Sequence, residues 1–350
     1  MSKYFENLDE NLKRYFEILS PEIPEFLDEY IETPEMQKQS GISVTCGLYY
    51  SKIFDCKFWY SSLDHSVAVA LIIWHFTKNK KQTLAGLFHD IATPAFKHCI
   101  DFLNGDYEKQ ESTEDLTVHI IENSKEIMEL LKRDNIKVEE VCDYHIYPIA
   151  DNDTPKLSAD RLEYTLSNGL GVQKRLWDLE DVRKIYQNIE VQVNEEGVEE
   201  LGFKSCDIAE KFVDTVIKLS LGYRSNEAKI SMQFLVDVIK KMAEHDLITR
   251  QDLYELSEKE VINRIENCKI DDIYEKFNMW RNATKIGEGN EPVEGKYCVD
   301  LNVKIRYIVP LVRQENKFLR ITEISDKIKK DIDDYVSYRH PKYAWLDFEF

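Results

Sequence analysis

The segment from Asp64 to Phe76, DHSVAVALIIWHF, has apolar residues on nearly every side of a helix. A helix of that kind must be buried, so the rest of the chain has to fold around it. It nevertheless carries a histidine, His65, beside Leu63, Val67 and Val69. A second apolar stretch, LAGLFHDIATPAFKH from Leu84 to His98, runs into the pair His89-Asp90, then Pro94, then another histidine. Polar groups in such surroundings are costly unless something pairs with them. They are either a satisfied core pair or half of a metal site.

With 350 residues, the chain is long enough for a sizeable core in one large domain, or in a large one and a small one. Its 43% apolar content excludes disorder as the general state. The net charge of −19 argues against nucleic acid and anionic membranes as partners. A small anionic substrate stays compatible with it, because a metal and a few cations invert the local field. The start, MSKYFENLDE, lacks an apolar signal core, and the longest apolar run, VAVALIIW, is too short to span a bilayer. Cys46, Cys56, Cys99, Cys142, Cys206, Cys268 and Cys298 are scattered and form no CxxC pair. They read as reduced thiols of a cytoplasmic protein.

Helical punctuation dominates the chain. SPEIPEF and TPEMQ each offer a hydroxyl cap, Ser20 or Thr33, followed by proline at the first helical position. Helical patterns continue over 117–133, 209–221 and 231–247, and two short helices are expected after Thr249. Near residue 297 the character changes: YCVDLNVKIRYIVPLV, 297–312, predicts strands, after a glycine-rich connector at 285–296. The expected architecture is mainly α, with a helical body over 1–268 and a smaller C-terminal α+β lobe over 269–350.

Three apolar helices can present four ligands to one point: His65, the pair His89-Asp90, and Asp160 in KLSADRLEYTL. Neutral imidazoles and carboxylates form a mixed set suited to a divalent first-row ion. A helix end lets adjacent side chains converge, which mid-helix neighbours do less easily. Singly, His65 also fits a core histidine bonded to a carbonyl, and Asp160 a helix-start acid favoured by the macrodipole. Burying all four without a cation would require many compensating hydrogen bonds.

The stretches LDHSVAVA (63–70), LFHDIATPAFKH (87–98) and LSADRLEY (157–164) resemble the HD-domain metal-dependent phosphohydrolase superfamily. The resemblance is nearest to its deoxynucleoside triphosphate triphosphohydrolase-like branch. Weaker echoes in ITRQDLYEL (248–256) and KIRYIVPLV (304–312) extend it over about residues 36–312, with the HD core at about 36–170. The resemblance implies an HD-domain helical bundle. It implies one divalent ion, of Mn, Fe, Ni, Co or Zn type with Mg also admissible, on His65, His89, Asp90 and Asp160. It makes His98 and Asp101 the pair handling protons near the scissile phosphate, with Glu114 orienting His98. It places Arg161 on substrate phosphates, Tyr164 against a sugar, and Asn168 where the branch has an acid for a sugar hydroxyl.

Three departures fall in the substrate shell. Ser62 stands where the branch has an arginine, Thr113 replaces the histidine of an H-E pair, and Asn168 replaces the acid. They spare the metal ligands. The expected function is metal-dependent hydrolysis of a phosphate ester or anhydride of a nucleotide, triphosphohydrolase-like. The alternatives are a catalytically weakened HD scaffold that binds nucleotide or a protein partner, and a two-metal HD phosphodiesterase using His119 and His145. The expected partner is a small nucleotide or other phosphate, without membrane or nucleic acid, in a homo-oligomer of the kind usual in that branch.

Overall fold

A computed structural model describes residues 3–54, 56, 58–100, 116–172, 174–315 and 317–350. Near the N-terminus, α1 (Glu10–Leu19) is capped by Asp9, whose carboxylate accepts from the backbone of Asn11 and Leu12. It buries Tyr15, Phe16 and Leu19 against the central helix α2 (Ser62–Thr77). Helix α2 starts in a capping box, Ser61 and Asp64 bonding each other's backbone N–H. It is buried from Ser62 to Ile73, as its all-round apolar sequence predicts. Its closest partner is α3 (Lys80–Phe88). A Cβ on Gly86 of α3 would lie 2.2 Å from Ile73 Cδ1, so the missing side chain is what lets the two helices approach.

The remaining longer helices are α4 (Lys125–Arg133), α5 (Ala159–Ser167), α6 (Leu179–Gln187), α7 (Cys206–Tyr223), α8 (Asn226–Glu244), α9 (Glu258–Glu266), α10 (Asp271–Asn282) and α11 (Asp326–Ser337). Strands β1 (Ile189–Val193), β2 (Glu199–Phe203), β5 (Leu311–Gln314) and β6 (Lys317–Arg320) form one sheet in the order β1-β2-β5-β6. Strands β3 (Gly287–Gly289), β4 (Tyr297–Val299) and β7 (Tyr343–Leu346) form another, with β7 in the middle. Chain from either side of the proposed boundary at residue 268 shares the first sheet, through the parallel pairing of Gly202 with Leu311 and Phe203 with Val312. The fold is mainly α with a small sheet content. No helix among the described residues is long and apolar enough to cross a membrane.

Several boundaries differ from expectation for local reasons. The predicted helix at Ser20 starts instead at Phe26, because Ser20 ends α1 and its hydroxyl bonds the Glu22 carbonyl. The pattern over 117–133 is broken at Ser124, which terminates Thr117–Asn123 and caps α4 through its hydroxyl. The strand prediction over 297–312 holds at its two ends only, since 300–310 has no regular structure. The β1–β2 hairpin was not anticipated, although IEVQV alternates and Gly197 supplies the positive φ of its turn. Proline favours the first position of a helix, yet Pro94 does not open one. Phe96 and Lys97 both adopt left-handed backbone, φ 66° and 45°, and helical geometry begins only at Cys99.

Candidate metal centre

Helices α2, α3 and α5 bring His65, His89 and Asp160 to one point, with a donor atom of each lying within 4.8 Å of the others. His65 Nε2 is 3.2 Å from His89 Nε2 and 3.1 Å from Asp160 Oδ1. His89 Nε2 and Asp160 Oδ1 are 3.9 Å apart. Ligands about 2.1 Å from one ion are separated by roughly 3.0–3.4 Å in octahedral or tetrahedral arrangements, so two of these edges already match. The donor set, two imidazoles and a carboxylate, is the chemistry a divalent first-row ion takes. The residues present therefore fit the implied metal.

Each histidine is oriented from behind. His89 sits at the end of α3, where its Nδ1 donates to the Gly86 carbonyl at 2.7 Å and leaves Nε2 facing the cluster. His65 Nδ1 bonds Glu163 Oε2. Glu163 lies one helical turn after Asp160 on α5, so one face of α5 brackets the imidazole with two carboxylates. Glu163 is fully buried, and its other oxygen accepts from Tyr15 at 3.0 Å and Tyr60 at 2.7 Å. Burial, and then the Glu163 charge, hold both phenols well above their usual range, so they remain donors.

Burial alone would lower His65, but Glu163 and Asp160 outweigh it and hold the imidazolium up to about 10. Burial alone would raise Asp160, and the adjacent His65 brings it down to about 2. The two carboxylates that bracket His65 thus favour its protonated form, and a metal competes with that proton.

The fourth predicted ligand is placed differently. Asp90 is adjacent, its Oδ2 3.8 Å from His89 Nε2, but it lies outside the converging trio. That same oxygen accepts from the Lys97 ammonium and from Ser62 Oγ at 3.0 Å, while Oδ1 accepts from Thr93 at 3.0 Å. Burial would raise Asp90, but Lys97 and the two histidines hold it well below the carboxylate range. His98 is half-buried directly after Lys97. Asp101, Thr113 and Glu114 lie outside the described residues.

Of the predicted substrate contacts, Arg161 is held by Asn152 at 2.7 Å and Asp151 at 3.1 Å, with its guanidinium mostly buried. Tyr164 faces Tyr223 edge-on, and burial pushes its phenol up to about 12. Asn168 spends its amide nitrogen on the Tyr164 carbonyl at 2.6 Å. His119 is exposed and bonded to Asn123, and His145 pairs with Asp143 and Asp151. Two residues of the centre, Glu163 and Lys97, escaped the sequence reading. The first had a readable signal, an acid one turn beyond a candidate ligand. The second is a lysine in the middle of an otherwise apolar PAFKH run. A cleft of about 560 Å³ is lined by Arg14, Tyr15, Trp59, Tyr60, Arg175 and Trp177 among others, and none of the trio lines it.

The turn that delivers Lys97 is anchored by the C-terminal half of the chain. Ala95 N donates to the Leu253 carbonyl at 2.7 Å, and Phe96 N to Glu258 Oε1 at 3.3 Å. Glu258 is fully buried at the start of α9, and burial pushes its carboxyl up to about 8 against the pull of its backbone donors. The folded chain therefore keeps a proton there that the unfolded chain releases near 4.5. That contribution is complete below pH 4.5 and is lost as pH rises through 8. Glu258→Gln is expected to match the wild type in chemical denaturation at pH 4. It should exceed it progressively towards pH 8, by at most about 4 kcal/mol. Equal denaturation midpoints at pH 8 would count against a protonated Glu258.

No family model matches the chain. It is 23% identical over 308 residues to the uncharacterized protein YdhJ of Bacillus subtilis (strain 168), covering 87% of this chain and 89% of that one. A crystal structure of a hypothetical protein from Aquifex aeolicus superposes with a TM-score of 0.65 at 18% identity, over 93% of both chains. That of a phosphohydrolase from Bacteroides thetaiotaomicron gives 0.62 at 12% identity, over 94% of this chain and 96% of that one. The fold is thus shared with these two solved structures along nearly the whole chain.

Proposed function

We propose that this chain is a metal-dependent phosphohydrolase of the HD type, acting on a phosphate ester or anhydride of a nucleotide in a triphosphohydrolase-like reaction. The observation that carries the reading is the convergence of His65 Nε2, His89 Nε2 and Asp160 Oδ1, with both imidazoles oriented from behind, His89 by the Gly86 carbonyl and His65 by buried Glu163. The phosphohydrolase that shares the fold supports it. His65, His89 and Asp160 would hold one divalent ion, with Asp90 adjacent. Bound there, the ion supplies Lewis acidity towards a phosphoryl oxygen and a lowered pKa for water.

The chain's own groups supply position and charge, which is most of what phosphoryl transfer needs. Gly86 and Glu163 fix the imidazoles in the tautomer that leaves Nε2 open. Lys97 supplies positive charge beside Asp90, and Arg161 beside Asp151. His98 and Asp101 are proposed to exchange the proton of the departing group, with Glu114 orienting His98. Tyr164 and Asn168 are proposed to meet the sugar.

The test is product analysis on a panel of dNTPs, nucleoside monophosphates and cyclic dinucleotides, supplemented in turn with Mn, Fe, Ni, Co, Zn and Mg. Release of triphosphate or phosphate that depends on metal is the expected result. Thermal shifts with nucleotide but no product with any metal would replace this reading by the binding scaffold.

A further inference from the structure

We propose that Lys97 is the second cation of this centre. Its ammonium occupies, on Asp90, the place a second metal ion would take, so the chain works with one ion and uses Lys97 to hold a phosphoryl oxygen. The proposal rests on the phosphohydrolase reading and deepens it.

Asp90 carries the argument. Its Oδ2 lies between the ligand trio, 3.8 Å from His89 Nε2, and the Lys97 ammonium that bonds it. In two-metal phosphate chemistry the ions stand about 3.5–4 Å apart and clamp the reacting oxygens between them. Here the carboxylate that lies beside the trio carries an ammonium on the same oxygen. Among the described residues, His65, His89 and Asp160 are the one group of three or more metal-ligating side chains that converges. His119 and His145, the residues that a second ion would need, are engaged with Asn123 and with Asp143 and Asp151. Charge agrees: Asp90, Asp160 and Glu163 carry three negative charges, which one divalent ion and one ammonium balance.

The placement is built and not incidental. Lysine is rarely buried unless paired, yet Lys97 is only 8% exposed. It gets there through two consecutive left-handed residues, a costly conformation for side chains other than glycine. The bonds of Ala95 to Leu253 and of Phe96 to Glu258 hold that turn in place. The ammonium also lies 3.4 Å from Ser62 Oγ, the position where the resembling branch carries an arginine. The cation missing from the first motif is delivered by the second, seven residues after Asp90. An ammonium is a compact point charge suited to phosphate.

The experiment loads wild type, Lys97→Met and Lys97→Arg in turn with Mn²⁺, Fe²⁺, Ni²⁺, Co²⁺, Zn²⁺ and Mg²⁺. Bound metal is measured by mass spectrometry and affinity for inorganic phosphate by calorimetry. Wild type should hold one equivalent. Lys97→Met should keep that equivalent and bind phosphate at least tenfold more weakly, and Lys97→Arg should recover most of the loss. Two equivalents in wild type overturn the proposal, and this readout stands even if Lys97→Met does not fold. Unchanged phosphate affinity in metal-loaded Lys97→Met also overturns it, while leaving the phosphohydrolase reading intact. A wild type that binds none of the six metals overturns that reading, and the proposal with it.

Discussion

Alanine at His89 or Asp160 is expected to empty the centre. Bound Mn²⁺ should fall from about one equivalent to less than about a tenth, and hydrolysis by at least about 10³-fold. The size follows from the role: Lewis-acid stabilisation supplies several kcal/mol, and about 4 kcal/mol is a thousandfold in rate. These two positions are the cleanest to remove. His89→Ala frees the Gly86 carbonyl and the Tyr144 ring face, and Asp160→Ala leaves the other acid of α5, Glu163, still paired with His65 and two tyrosines. His65→Ala is a poorer test, because it strands Glu163 in the core. Asp90→Ala should have a smaller effect on metal retention than either, since Asp90 lies outside the trio and bonds Lys97, Ser62 and Thr93. Circular dichroism should show folded protein in each case. Retained metal with unaltered hydrolysis in His89→Ala and Asp160→Ala would remove the basis of the proposed function.

The central helix and the trio were legible because both are written locally. An apolar run of that breadth has one structural outcome, and a histidine inside it has few partners. His89 and Asp160 could be read for the same reason, each at the end or start of an apolar helix. What was not legible depends on chain geometry that residue pattern does not encode. Pro94 commonly opens a helix, but the bonds from Leu253 and Glu258, more than 150 residues away in sequence, hold its neighbours in a left-handed turn. Lys97 therefore looks like a surface lysine in sequence and is a buried cation in the fold. The same holds for the β1–β2 hairpin, whose alternation is clear but whose sheet is completed from residues 311–320. Ser62 reads in sequence as the loss of a cation; in the structure another segment supplies one at the same place.

Glu163 is where fold and chemistry are hardest to separate, and its replacement has the second large expected effect. Three donors, His65 Nδ1 and the hydroxyls of Tyr15 and Tyr60, converge on a carboxylate with no solvent exposure. Glu163→Ala leaves all three unpaired in the core, and removing one partner of a buried ionic group costs about 3–5 kcal/mol. Denaturant unfolding of the metal-free protein should show a loss of that size. Glu163→Gln separates the two roles. It keeps volume and one carbonyl oxygen, but its NH₂ cannot accept, so either the imidazole or the tyrosines lose their acceptor. Metal affinity should then fall about 10–100-fold, the usual effect of removing the partner that orients a ligating histidine. Tyr15→Phe with Tyr60→Phe provides the control. Those changes leave Glu163 on His65, so they should lower stability while moving metal affinity far less. Were Glu163→Gln to bind metal as wild type does, Glu163 would be a structural acid only. The orientation of His65 would then rest on Asp160 alone.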